Sequence, residues 1–252
     1  MKVAIIAIAK NENLYVNEWI NYHLRMGFDN IIICDNDDEL ILPDVINNDK
    51  VIIEDYTKIY GVQQMAYRQT FKKYRNEFDW IFFIDIDEFF VLEKHKNVKE
   101  FLSTFPDNVE CIKVSWKHFN DNEELDVIDG NYNVFGRFKT VVKTKYDNLI
   151  KAFVKTTIND KAVDRISQHS VYDNSVFSVN VLNNKCDFGR FVRNPIYEVA
   201  WINHYKTKTI GEFIRQKYFR GGPNRNNVIT KKKSMVKKSP LSTLLDTKPL
   251  PR

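Results

Sequence analysis

Glycine is scarce, with 8 residues among 252, and none of it falls in a G-x-G-x-x-G or a G-x-x-x-x-G-K-[ST] pattern. Rossmann-type dinucleotide binding and P-loop phosphate binding therefore lose their main support. No G-x-S-x-G occurs, and the three cysteines have no obvious histidine partner, so nucleophilic hydrolysis has nothing to point at. Cys34, Cys111 and Cys186 are scattered and odd in number, without metal spacing. Reduced core thiols in a cytosolic protein are expected, with Cys34 and Cys111 inside strand-like runs. No apolar run approaches the about 18 to 20 residues of a membrane span. The opening Met1 to Ala9 superficially resembles a short signal peptide, but Lys10-Asn11-Glu12-Asn13 follows with no small-residue cleavage site. A buried first strand and a cytoplasmic location are the expectation. Zinc-finger and RNP-like motifs, internal repeats and a basic stripe with interleaved aromatics are all missing, which argues against nucleic-acid binding.

What is present indicates a globular chain. Hydrophobic residues make up 43% and aromatics 13%, enough to bury a full core in one large domain, alone or with a small appendage. The net charge of +5 is unevenly placed. Lys231-Lys232-Lys233 and Lys237-Lys238 lie in a stretch with Pro240, Pro249 and Pro251, so residues 223–252 read as a basic tail. Such a tail is usually just solvated, and otherwise makes peripheral contact with an anionic membrane surface.

The first half alternates strands and helices. Strands are expected at Val3–Ala9, Asn30–Cys34, Val51–Glu54 and Asp79–Ile84, with helices at Glu12–Met26 and Gly61–Phe78. Asn97–Phe105 reads as a further helix and Glu110–Trp116 as a further strand. This order predicts an α/β fold with a mostly parallel sheet flanked by helices. Residues 1–116 form the nucleotide-binding half of a domain spanning 1–222, and 117–222 a more irregular acceptor half. A last helix is expected from Ile210 to Phe219, stopping at Gly221-Gly222-Pro223.

The chemistry concentrates at Ile84-Asp85-Ile86-Asp87-Glu88-Phe89. The preceding run Trp80–Ile84 has the aromatic and β-branched content of a strand buried on both faces. Two carboxylates where such a strand ends need a strong partner. A hard divalent cation supplies one, because Mn2+ and Mg2+ take carboxylate oxygens and leave positions open for phosphates. Ligands of open α/β sheets bind just beyond the carboxyl ends of the strands. The Asp-x-Asp therefore reads as a metal–diphosphate site, the bland alternative being a pair of solvated turn aspartates.

Several ordered motifs carry a family likeness. Ala7-Ile8-Ala9-Lys10-Asn11-Glu12, Glu18-Trp19-Ile20-Asn21-Tyr22-His23 with Gly27-Phe28, Ile33-Cys34-Asp35-Asn36, the Asp-x-Asp segment and Asn203-His204-Tyr205-Lys206-Thr207-Lys208-Thr209 with Glu212-Phe213 and Lys217 occur in sequence. Together they resemble glycosyltransferases of the GT-A fold, within them the family 92 and family 2-like group. One segment departs from that pattern: Trp116-Lys117-His118-Phe119-Asn120 stands where the group usually carries a Phe-Gly pair after the tryptophan.

The resemblance implies roles. Ala9, Asn11, Glu12, Asp35 and Asn36 would hold the nucleotide base and ribose, with Gln64 and Arg68 facing the nucleotide from the long helix. On the residues alone, Asp35 reads equally as a turn-forming Asp, and Val62, Met65, Ala66 and Phe71 form a stripe that explains the helix structurally. Asp85 would lie near ribose and metal, Asp87 would bind Mn2+ or Mg2+, and His204 would be the third ligand, although a histidine in that setting is more often structural. Glu88 would stand behind them. Lys206, Lys208, Arg215 and Lys217 would neutralise the departing diphosphate, the alternative being an ordinary basic helix face.

The implied reaction is sugar transfer from a nucleotide-diphosphate sugar, a UDP-sugar favoured, to a glycan or lipid-linked glycan acceptor. Inversion would need an Asp or Glu base. Asp121 is the first choice, ahead of Glu123, Glu124, Asp164 and Asp187, because it follows Trp116 in the acceptor loop. Trp116, His118, Trp201 and His169 are candidate cleft residues. A bacterial surface-polysaccharide role at the inner membrane face fits the absent signal and basic tail. The rivals are a nucleotidyltransferase, which lacks its Gly-rich basic loop here; a D-x-D-x-[TV] phosphotransferase, disfavoured by Phe89; and a non-catalytic sugar-binding module.

Overall fold

The computed structural model describes residues 1–59, 61–126, 133–144, 147–187 and 189–214. The first strands are β1 (Val3–Ala9), β2 (Asn30–Asp35), β3 (Val51–Asp55) and β4 (Trp80–Phe83). They pair in parallel in the order β3-β2-β1-β4. Strand β1 is central, and its side chains alternate between two cores. Val3, Ile5, Ala7 and Ala9 join one; Ala4 and Ile6 join the other. That two-sided burial is why the sequence reads as an unbroken apolar run rather than an alternating one.

Two helices cover the faces. Helix α1 (Val16–Arg25) packs Val16, Trp19, Ile20 and His23 inward and ends at Gly27, whose φ of +95° suits glycine. A Cβ at Gly27 would meet the Asn97 Cβ at 3.0 Å. On the opposite face, α3 (Gln63–Tyr74) buries Gln63, Ala66, Tyr67, Thr70, Phe71 and Tyr74, following the short α2 (Leu42–Val45) in the chain. The buried face is rotated from the expected stripe, and Met65 is exposed. Both helices are shorter at their N-termini than the sequence suggests, because Glu12–Tyr15 and Gly61–Val62 form turns.

The second half completes the sheet with β5 (Glu88–Leu92), α4 (Val98–Leu102), β6 (Cys111–Phe119), α5 (Val134–Arg137), β7 (Val141–Val142), β8 (Ile150–Lys155), α6 (Asp160–Val163), β9 (Ser178–Asn180), β10 (Ala200–His204) and α7 (Ile210–Phe213). Strand β8 adds antiparallel to β4, and the order continues β8-β6-β10-β5. Strand β6 changes neighbours along its length. Cys111–Ser115 pair with β8, while Trp116–His118 pair in parallel with β10. Phe82 stacks on Phe153 at 4.0 Å and joins Phe28, Phe90 and Phe101 where the two parts meet. Each such buried ring contributes about 1.5 to 3 kcal/mol relative to exposure. The expected 210–219 helix is seen as α7, with Arg215, Lys217, the Gly221-Gly222-Pro223 stop and the 223–252 tail outside the described residues. No described helix is long and apolar enough to cross a membrane.

Two buried polar contacts join distant parts of the chain. Lys208, itself at φ +51°, places its Nζ 2.9 Å from Glu12 Oε2 and 3.9 Å from the Tyr15 ring centroid. His23 lies wholly inside, its Nδ1 2.8 Å from the Trp19 carbonyl and its Nε2 accepting the Phe90 N–H at 3.2 Å. The amide can only donate, so Nε2 is unprotonated and the ring is the neutral Nδ1–H tautomer.

Replacing Lys208 by Met leaves the Glu12 charge buried without this cation, and we expect about 3 to 5 kcal/mol of lost stability in urea titration. Most of that loss returns when Glu12→Leu is added. Burial pushes the pKa of His23 from 6.5 down to about 3, against the opposing bond to Trp19. Below pH 6.5 the unfolded chain takes a proton that the folded chain refuses, so stability falls as pH drops through that window. Between pH 7 and pH 5 His23 accounts for about 2 kcal/mol of the decline. That part of the slope should vanish in His23→Phe, measured by urea midpoints at both pH values.

Candidate active site

The acidic segment follows β4 at the seam between the parallel sheet and the rest. Ile84 and Ile86 point into the core and are 0% and 2% exposed, so the alternating Asp85 and Asp87 face the other way. The turn closes on itself. The Asp85 amide donates to Glu88 Oε2 at 3.0 Å, and the Glu88 amide donates to the Asp85 carbonyl at 3.1 Å. The Tyr205 amide donates to the Asp87 carbonyl at 2.9 Å, which fixes the loop to the end of β10.

Helix α1 holds the other side. Trp19 Nε1 donates to the Glu88 carbonyl at 2.7 Å, Tyr22 Oη donates to the Phe90 carbonyl at 2.9 Å, and His23 accepts the Phe90 amide. The Glu18 carboxylate takes the amides of Val134 and Phe135 at 2.8 and 3.1 Å. Trp19, Tyr22 and His23 thus clamp the strand that starts at Glu88, while Glu18 holds the start of α5.

Among the described residues, ligand atoms of Asp87, Glu88 and His204 lie within 4.8 Å of one another. Pairing produces this. His204 sits opposite Glu88 across the β10–β5 ladder and opposite His118 across the β10–β6 ladder. Its Nε2 is 3.8 Å from Asp87 Oδ2. His204 Nδ1 and Glu88 Oε1 are buried without a hydrogen-bond partner. Orphaned buried atoms of this kind, one on a carboxylate and one on an imidazole beside a second carboxylate, suit a divalent cation.

Asp85 stands beside this group and is engaged elsewhere. Its Oδ1 accepts from Gln63 Nε2 at 3.0 Å and Tyr67 Oη at 3.2 Å. Its Oδ2 lies 2.7 Å from the fully buried Lys151 Nζ, which is also 3.6 Å from Glu88 Oε2. Burial pushes the Glu88 carboxyl well above its usual range, with the Lys151 charge opposing. For Lys151 burial acts downward, but Asp85 and Glu88 more than offset it and the net shift is upward. Gln63, Tyr67 and Lys151 are the residues that reading the sequence missed. The spacing of Gln63, Tyr67, Thr70 and Tyr74 along one helix face was the available signal, as was a lysine within the apolar run Ile150–Val154.

Aromatic rings and imidazoles wall the cluster. Trp116 lies 4.4 Å from the His204 ring, 5.5 Å from His118 and 5.3 Å from His169. His169 Nδ1 meets the Ile150 carbonyl at 3.0 Å, and burial, helped by the Lys151 charge, holds its pKa down to about 4. Trp201 is placed differently, with Lys117 over its ring at 4.0 Å and its Nε1 donating to Asn203.

The expected nucleotide end is built from the β1 and β2 termini. The Asp35 carboxylate accepts the amides of Asp37 and Leu42 at 3.0 and 3.2 Å, and the Asn36 amide donates to the Ala9 carbonyl. The Asn36 side chain donates to the carbonyls of Tyr56 and Ile59, and the Asn11 amide donates to Asp37. Glu12 is held by Lys208. Gln64 meets Gln168, and Arg68 Nε donates to the Ile166 carbonyl. Lys206 follows β10 in an exposed bend. Asp121 accepts the Glu123 amide at 3.0 Å inside its own loop, which α7 holds through Glu124 and Leu125. No described contact joins Asp121 to the Asp87 cluster.

The sequence profile of glycosyltransferase family 92 matches residues 3–239. A glycosyltransferase family 92 protein of Ricinus communis is 22% identical over 229 residues, covering 87% of this chain and 38% of that protein. The chain thus spans well under half the length of that curated relative. Among solved structures, S. aureus TarS aligns at a TM-score of 0.40 and 13% identity, over 62% of this chain and 28% of that one. A 4-diphosphocytidyl-2C-methyl-D-erythritol synthase from Anaerococcus prevotii aligns at 0.41 and 13% identity, over 73% and 92%. The profile match extends over nearly the whole sequence, and the chain belongs to glycosyltransferase family 92.

Proposed function

We propose that this chain transfers a sugar from a nucleotide-diphosphate sugar to a glycan or lipid-linked glycan acceptor, with Mn2+ or Mg2+ held by Asp87, Glu88 and His204. One observation carries the metal reading: three ligating side chains from two strands and a turn converge with buried, unpartnered atoms on two of them. Bound there, the ion supplies Lewis-acid neutralisation of the diphosphate leaving group. Asp85, fixed by Gln63, Tyr67 and Lys151, would lie on the ribose side of that ion.

The ends of β1 and β2 would receive the base. Because Asp35 keeps its carboxylate on two backbone amides, base recognition in this reading falls to the Ala9–Glu12 and Asp35–Asn36 backbone and not to that carboxylate. UDP is the favoured carrier. Lys206 would assist at the diphosphate, whereas Lys208 is committed to Glu12. Trp116, His118 and His169 would shape the floor on the acceptor side. For an inverting reaction Asp121 would be the base that takes the acceptor hydroxyl proton. The setting proposed is surface-polysaccharide synthesis in a bacterial cytoplasm, with the basic 223–252 tail, which lies outside the described residues, against an anionic membrane face.

Calorimetric titration of UDP and GDP, with and without Mn2+, tests the centre of this reading. One nucleotide should bind with Mn2+ at least tenfold more tightly than without it, and Asp87→Ala should abolish that gain. Binding indifferent to both Mn2+ and Asp87 would show that the acidic segment is structural.

A further inference from the structure

Lys151 is the feature that the transfer reaction leaves unexplained. Its ammonium is completely buried at the second residue of β8, where the neighbouring side chains, Ile150 and Ala152 in the strand and Val114 across the ladder, are apolar. Taking such a charge out of water costs several kcal/mol even after relaxation, and an apolar residue of similar length would pack at no such cost. Its position gives the charge a task. The Nζ lies behind the acidic turn, 2.7 Å from Asp85 Oδ2 and 3.6 Å from Glu88 Oε2. The remaining Asp85 oxygen is taken by Gln63 and Tyr67, and Glu88 Oε2 also accepts the Asp85 amide. Every Asp85 oxygen is therefore engaged from the protein side. Glu88 Oε1 is left without a hydrogen-bond partner, and the Glu88 carboxylate groups with Asp87 and His204.

We propose that Lys151 is a positioning residue for the cation site: gripping Asp85 and Glu88 from behind, it keeps Asp85 out of the ion's ligand set and holds down the site's affinity for a divalent ion. The inference rests on the reading of Asp87, Glu88 and His204 as a metal centre and deepens it. Three carboxylates crowded into one turn would otherwise attract a cation strongly enough to retain it between turnovers. The fixed ammonium offsets one of the three negative charges, so the donor's diphosphate is needed to complete a tight site. Ion and donor then arrive and leave together. At an effective dielectric constant of about 20, one unit charge a few ångströms from a divalent ion changes its affinity by well over tenfold.

Mn2+ binding to the full chain, followed by the paramagnetic signal of the free ion without nucleotide, separates the possibilities. Lys151→Met should bind Mn2+ at least tenfold more tightly than the wild type, because Asp85 is released and a positive charge is gone. The double variant Lys151→Met/Asp85→Asn removes one charge of each sign, which leaves the net charge of the turn unchanged, and should return to within about threefold of the wild type. That variant decides the matter even where the single one does not fold: if it loses Mn2+ binding, Asp85 is itself a ligand and the proposal fails. A folded Lys151→Met with unchanged or weaker affinity overturns it too, and leaves the metal reading intact. Binding by Lys151→Met alone, with none by the wild type even when UDP is added, upholds the role of Lys151 and sinks metal dependence. Absence of binding in all three proteins overturns both.

Discussion

Everything at the candidate centre depends on the grip of α1 on the strand that begins at Glu88. The chain leaves β4 at Phe83 and must re-enter the sheet as β5, beside β10 and not beside β4. The turn's own hydrogen bonds hold Asp85 to Glu88 but do not set the direction in which β5 leaves, and its three carboxylates repel one another. Three side chains of one helix supply the missing constraint by taking the carbonyls of Glu88 and Phe90 and the amide of Phe90. The Trp19 and His23 bonds are buried and the Tyr22 bond is partly so; a lost partner in the buried pair leaves a group unsatisfied at about 1 to 3 kcal/mol. The clamp also explains why His23 has to be neutral. A charged ring would place two donors where the Phe90 amide needs an acceptor.

The second organising device is the change of neighbours along β6. Its first half is bound to β8 and β9 and belongs to the same layer as the parallel strands. Its second half turns toward β10 and carries Trp116 and His118 to His204. One strand thereby joins the parallel part of the sheet to a wall of imidazole and indole. Lys151 of β8 reaches the acidic turn from the first layer, and His204 of β10 reaches it from the second. The carboxylates therefore sit where two differently paired parts of the sheet meet, with the Lys151 ammonium on one side and the His204 ring on the other.

Much of the scaffold is legible in the sequence because strands buried on both faces leave continuous apolar runs. β1, β2 and β4 could be placed within a residue or two for that reason. The α/β alternation and the importance of Asp87 and His204 follow from pattern and family likeness. Finer matters were not legible, and the reasons are physical. Which of Asp85 and Glu88 stands beside Asp87 depends on the hydrogen bonds that close a tight turn, and adjacent carboxylates look alike in sequence. The face that α3 presents to the turn is offset by one residue from Gln64 and Arg68, because aromatic and polar residues share its buried side. Glu18, Trp19, Tyr22 and His23 announce family membership, but only the folded chain reveals that they hold backbone.

The pairing of His204 with Glu88 has a bearing on how the protein is made. Strands β1 to β4 find their partners early, since β1 pairs with β2 and β4 within the first third of the chain. The acidic turn does not, because β5 pairs with β10, which leaves the ribosome long afterwards. Such non-local pairing is slow and exposes unpaired strand edges while it waits. During that interval helix α1, already synthesised, can hold the Glu88–Phe90 backbone through its three side-chain bonds. The α1 motif thus ties the segment that carries the acidic turn to a part of the chain synthesised well before its strand partner.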